Sequence, residues 1–231
     1  MATDVPIRTS MGIRRIMTID AKLLTLIQWL SPAYPIGAFS WSHGLEAAVA
    51  DRWITDADEL GDWLTALLTD GSIRTDAILI ASAYDAQMID EITNLNQIAR
   101  AYAASNERLR EAERQGAAFA KITREVWGLD LPELQLPIAL GRAGRLVQIE
   151  RQALIATYAH GFCSNLVAAA QRLMKLGQSD GQAIIARLNA DCLILAKDIE
   201  NATPHDIHSQ TFLSDIASMR HETTPQRLFQ S

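Results

Sequence analysis

Leu60, Trp63, Leu64, Leu67 and Leu68 recur three and four positions apart, the spacing that lines one face of an α-helix. Thr55 stands before them as an N-cap, and Asp56, Asp58 and Glu59 suit the positive end of the helix dipole. Gly71 punctuates this helix before a second run through Ala77, Ile80, Ala81 and Tyr84. A mostly polar stretch follows Asp90 and turns into a helix over 106–127. There Leu109, Ala112, Phe119 and Val126 face inward, and Gly128 and Pro132 end the run. A short helical piece at 138–144 leads to a long helix at 148–175. Gly177 stops it, and Ser179 with Gln182 is spaced as the capping box of the next. That helix runs through Ile184, Ile185, Leu188, Cys192, Leu195 and Ile199, and Pro204 closes it. No alternating strand pattern, repeat or low-complexity linker interrupts the series. The pattern predicts an all-α, single-domain bundle of roughly eight to ten helices over 21–231, behind a flexible N-terminal arm at 1–20.

One stretch departs from helical periodicity. Between an apolar run at 23–30 and an alanine-rich run beyond 45, residues 31–46 hold Pro32, Pro35, Gly37 and Gly44 together with Tyr34, Phe39 and Trp41. The prolines fix φ and push their preceding residues out of the helical region, so the first helix stops near Ser31. Ser40 is positioned as the N-cap of the helix that follows. The stretch reads as a rigid corner that buries Phe39 and Trp41. Pro35, Gly37, Phe39, Ser40, Gly44 and Glu46 are its structural or interface residues.

Composition narrows the classes. The chain has 231 residues, 48% of them hydrophobic, and a net charge of −6. It is long enough to bury a sizeable core, and its acidic balance argues against a nucleic-acid or anionic-membrane surface. Cys163 and Cys192 lie in apolar helical patterns, which suits buried thiols in a reducing cytoplasm. Residues 152–171 carry no charge, yet Gln152, Thr157, His160, Ser164, Asn165 and Gln171 mark a core helix rather than a membrane span.

Chemical motifs are sparse. There is no Gly-rich phosphate loop, no Cys-x-x-Cys and no His-Glu-x-x-His. Ser42 and His43 adjoin without a third orienting group, which makes a poor hydrolase. His205 and His208, three apart, are the metal candidates; solvated histidines after a proline are the commoner reading. Asn165, Gln178 and Asp180 read as framework, Asp180 near a helix N-terminus where its charge is favourable. The C-terminal segment 205–231 is more suggestive. It contains an amphipathic helix at 212–222 and then Arg227 flanked by Leu228 and Phe229, apolar residues beside an arginine as at interface anchors. Arg220, His221, Glu222, Arg227, Leu228 and Phe229 are the expected partner-binding residues.

The corner at 31–46, the joint at 165–182 and the ending at 214–229 together resemble the UreF family of urease accessory proteins, over roughly residue 22 to the end. Trp41 stands where that family most often has Tyr. The resemblance implies an all-α, homodimeric, cytoplasmic protein that is not an enzyme. With UreD and the GTPase UreG it would act on the urease apoprotein, assisting GTP-dependent nickel insertion. It implies no cofactor of the chain's own, since nickel and GTP are handled by the complex. The alternative is a nickel metallochaperone using His205, His208 and His221.

Overall fold

The computed structural model describes residues 21–231, whose regular structure is all helical, with no strand. The arm predicted at 1–20 lies outside the described residues. In order, the helices are α1 (Ala21–Trp29), α2 (Leu45–Ala50), α3 (Ala57–Asp70), α4 (Ser72–Asp85), α5 (Ile89–Ala101), α6 (Asn106–Trp127), α7 (Leu136–Leu146), α8 (Arg151–Leu173), α9 (Gln178–Asp198) and α10 (Phe212–His221). Short 3₁₀ turns occupy Ala38–Ser40 and Pro204–Asp206.

Helix α8, uncharged between its end arginines Arg151 and Arg172, runs through the middle, packed against α2, α4, α7 and α9. Leu154, Ile155, Ala159, Cys163, Leu166 and Ala170 are all essentially inaccessible. It is long and apolar enough to cross a membrane, but half of its apolar window is buried inside the bundle. At one end of the core, Trp29 of α1 meets Phe119 and Trp127 of α6 edge to face at 5.3 and 5.6 Å. Tyr34 packs beside them and shares a 3.0 Å hydrogen bond with Thr123 Oγ1. Fully burying side chains of this size contributes about 1.5–3 kcal/mol each.

Several local expectations shift. The cap of α3 is Asp56, whose Oδ1 accepts from the amides of Asp58 and Glu59 at 3.0 Å each. Thr55 instead donates its amide to the Glu59 carboxylate at 2.7 Å, the return half of the same cap. The polar stretch after Asp90 is helix α5, held by a narrow stripe of Ile92, Leu95 and Ala99. Helix α8 ends at Leu173 and Gly177 is the N-cap of α9 with φ −66°, so Ser179 and Gln182 are not a capping box but lie inside the helix.

The largest correction concerns α6. Its boundaries match the sequence reading, and Gly128 ends it with φ +66°. Its buried face, however, carries Glu107, Glu111, Gln115, Gly116, Phe119, Ala120 and Thr123, while Val126 is 63% exposed. The helix is rotated so that two glutamates point inward, because partners for them arrive from elsewhere in the chain.

Candidate functional site

Those partners are the corner and the last residues of the sequence. The corner turns through three residues with positive φ: Gly37 at 73°, His43 at 57° and Gly44 at 79°. This run of left-handed backbone postpones the next helix to Leu45, so Ser40 closes the 3₁₀ turn and caps nothing. Gly44 is required twice over. Besides its φ, a Cβ there would lie 2.5 Å from the backbone nitrogen of Ser218, so α10 rests directly on the corner.

Helix α10 docks by its small and polar face, burying Ser214, Ala217, Ser218 and His221. Ser218 Oγ lies 2.6 Å from Oγ of Ser105, the N-cap of α6. The chain then folds back as a strap. Glu46 Oε1 accepts the Leu228 amide at 2.7 Å, and Glu46 Oε2 accepts the Phe229 amide at 3.0 Å. The Gln230 amide donates to Ser40 O at 2.8 Å, and the Ser42 amide donates to Ser231 O at 2.9 Å. Phe229 is buried beneath the Arg172 guanidinium, 4.4 Å from its ring centre.

Two linked polar clusters lie under the strap. In the first, His221, wholly inaccessible, has Nε2 3.1 Å from Glu46 and Nδ1 2.6 Å from Glu107. The other Glu107 oxygen takes Arg227. Burial alone would raise the Glu46 carboxyl. The Leu228 amide, His221 and the Phe229 amide outweigh it and hold Glu46 below its ordinary range.

In the second cluster, Glu111 accepts from Arg108, Gln115 and Ser231 Oγ, and His43 Nε2 lies 3.1 Å from it. Burial, and then the Arg108 charge, push His43 well below its ordinary value. Burial thus disfavours the charged form of the ring that lies against Glu111. Burial raises Glu111 despite Arg108. This cluster lines a cavity of about 400 Å³ between the corner, α6 and α8.

The arrangement holds backbone in place; it presents no nucleophile with a base. Ser42 Oγ is spent on Ser231 O, and His43 turns away to Glu111. His205 and His208 are exposed on the turn after α9, with His208 Nε2 3.6 Å from Asp70, and far in role from buried His221. Among the described residues no three His, Cys, Asp or Glu side chains are grouped to hold a metal.

Comparison with known proteins decides the family. The UreF family model matches residues 54–189. A urease accessory protein UreF of Ruegeria pomeroyi is 43% identical over 212 residues, covering 92% of this chain and 98% of its own length. One from another Ruegeria strain is 46% identical over 218 residues, covering 93% of this chain and all of its own. The UreF of Roseobacter denitrificans is 41% identical, covering 94% and 97%. The chain belongs to the UreF family.

In this UreF-family chain the residues singled out in the corner and the tail form one structure. Glu46, Gly44, His221, Arg227 and Phe229 meet, and Glu222 joins them by accepting the Glu107 amide at 3.2 Å. Arg220 lies apart, paired with Asp51 at 3.2 Å and set over Trp53. Gly37 shapes the turn with its positive φ, two residues after Pro35. Phe39 is not buried as expected but 66% exposed; only Trp41, at 4%, is enclosed. Asn165 reaches across from α8 to donate to Ala38 O at 3.1 Å and Trp41 O at 3.4 Å. Gln178 Oε1 accepts from Gln171 at 3.4 Å, and Asp180 lies in the first turn of α9, both remote from the strap. Sequence reasoning missed Glu107, Glu111, Ser218 and Ser231. A signal existed for the first two: 107, 111, 115 and 119 share one helical stripe, so placing Phe119 inward turns both glutamates inward.

Proposed function

We propose that this chain works as the resemblance implies: a non-enzymatic urease-maturation scaffold, homodimeric and cytoplasmic. With UreD and the GTPase UreG it assists nickel delivery to the urease apoprotein. The observation that carries the reading is the orientation of α10 and its strap. The small face of α10 is turned inward, which leaves Phe212, Leu213, Ile216 and Met219 exposed by 43–69% along its other side. Phe39 and Leu228 add exposed apolar surface on the corner and strap, at 66% and 62%. A fixed apolar strip rimmed by Arg220 and Arg227 suits docking of a protein partner. Leu24 and Ile27 on α1 and Leu193 and Ile194 on α9 are exposed as well, which suits more than one contact surface.

In this reading the chain supplies binding energy and no chemistry. By holding UreG better in one nucleotide state than another, it biases when hydrolysis and nickel release occur. The test is co-purification of UreD and UreG with the full chain carrying Ile216→Ser and Met219→Ser together, or Leu228→Ala. These side chains face outward, so the fold stays intact, and recovery of at least one partner falls tenfold or more. A His205→Ala/His208→Ala chain retains both partners. Unchanged recovery of both partners with the apolar variants would overturn the proposal.

A further inference from the structure

The cavity of about 400 Å³ beside the second polar cluster has the size and mixed lining of a small-molecule site. Trp29, Phe39, Tyr158 and Phe162 give it aromatic walls, and exposed Pro32, Phe39 and His160 bring it to the surface. Asp76 of α4 and Arg108 and Glu111 of α6 line it too. Glu111 is fully engaged: one oxygen accepts from Gln115 at 2.9 Å, the other from Arg108 and Ser231 Oγ. Asp76 is not. Its Oδ2 accepts from the Tyr158 hydroxyl at 2.6 Å, and among the described residues no donor reaches its other oxygen and no cationic side chain pairs with it. We propose that this cavity binds a small organic ammonium ion, its nitrogen paired with Asp76 and its apolar body against the aromatic walls.

Charge decides the class of ligand. Arg108 pairs with Glu111, which leaves the Asp76 carboxylate as the unbalanced charge on the cavity wall. His43 adds no second cation, because burial disfavours its charged form, and burial keeps the Tyr158 hydroxyl protonated. An anion would meet the Asp76 charge in surroundings of low dielectric, where like charges repel strongly. A neutral ligand would leave that charge as it is. An ammonium cancels it, donates N–H to the unfilled oxygen in a charge-assisted hydrogen bond, and is attracted by the faces of the surrounding rings. Burial raises the Asp76 carboxyl, so a cation beside it relieves a penalty that the folded chain already carries.

A bare metal ion fits less well. A hard cation takes six or so oxygen ligands, whereas Asp76 offers one free oxygen and both oxygens of Glu111 already hold donors. The rest of the wall is largely apolar, which suits a carbon skeleton. The inference stands whether or not the docking surface binds the partners named above.

The test titrates the isotope-labelled full chain at pH 7 with three probes that share one apolar body: 2-phenylethylamine, 2-phenylethanol and 3-phenylpropionate. The amine should bind with a Kd of about 1 mM or tighter, reasonable for so small a ligand. Its amide shifts should centre on the cavity residues Ala112, Gly161 and Ala168. The alcohol should bind at least about tenfold more weakly and the carboxylate not at all. Asp76→Asn keeps an acceptor for Tyr158 but loses the charge, so it should bring the amine down to the affinity of the alcohol and leave the alcohol unchanged. Equal affinities for the three probes, a preference for the carboxylate, or shifts centred away from the cavity would overturn the proposal. So would an amine preference that survives Asp76→Asn, or the absence of any shift up to about 20 mM, which would mark the cavity as a water-filled space only. The ranking of the three probes is read on the wild-type chain and does not depend on the variant folding.

Discussion

His221 Nε2 lies 3.1 Å from Glu46 Oε2 across 175 residues of sequence, and through that contact the end of α10 is tied to the start of α2. Glu46 also accepts both strap amides, so one carboxylate holds helix and strap together. Glu46→Ala leaves His221 and two amides without their acceptor, and should cost about 3–5 kcal/mol, the range for breaking a buried charged network. Hydrogen exchange should show the Leu228 and Phe229 amides losing protection ahead of the core. Retained protection at both would show that the strap is held by something else. The sign with pH follows from the lowered carboxyl: its contribution is present above the unfolded value near 4.5 and is lost as pH falls through the folded value below that.

Gly44 and Gly128 both have positive φ, at 79° and 66°, but only Gly44 abuts another backbone. Gly128→Ala meets nothing within 4 Å and should cost only the left-handed strain, about 1–2 kcal/mol. Gly44→Ala adds a clash with Ser218 and should cost distinctly more, with α10 displaced. Denaturant unfolding of the two variants checks this, and equal losses would refute the direct contact.

His43 titrates in the opposite direction from a histidine stabilised by an acid. Its folded value is well below 6.5, so the unfolded chain takes up a proton first as pH falls. Stability is full above about 6.5 and declines below it, by at most about 1.4 kcal/mol per pH unit from this one group. His43→Asn tolerates the positive φ and removes the titration. The difference in unfolding free energy between wild type and variant should shrink steadily from pH 7 to pH 5. A pH-independent difference would mean that His43 titrates alike in the folded and unfolded chain, and a difference that grew toward pH 5 would mean that the fold holds it charged.

Two side chains of α8 donate to the corner's backbone, Asn165 to Ala38 O and Trp41 O and Arg172 to Phe39 O. Asn165→Leu leaves the carbonyls of Ala38 and Trp41 without that donor and should cost about 1–3 kcal/mol. Melting temperature should move more than recovery of UreD or UreG. Lost recovery at unchanged melting temperature would place Asn165 in the docking surface itself.

The helical content could be read from local pattern, and so could several ends: α6 over 106–127, the left-handed stop at Gly128, the division of α3 from α4 at Gly71. The corner could be read as rigid, because Pro32, Pro35 and Gly37 act on backbone dihedrals within a residue or two of themselves. The docking strip could be read only in part: the apolar and basic residues of the tail were visible, but not which side of α10 would face out. Asp56 instead of Thr55 as cap, and Leu45 instead of Ser40 as helix start, were settled by backbone turns one to five residues away.

Sequence alone therefore determined a chain of amphipathic helices joined by a stiff corner, since hydrophobic period, proline and glycine act over short range. Tertiary structure alone decided that corner and tail are one site. Glu107 and Glu111 are buried because His221, Arg227, Arg108, His43 and Ser231 reach them from up to 120 residues away. Such pairing has no periodic signature; its strength depends on two distant groups meeting out of water. It overrides the apolar stripe that would otherwise set the rotation of α6, and it turns the greasy side of α10 outward.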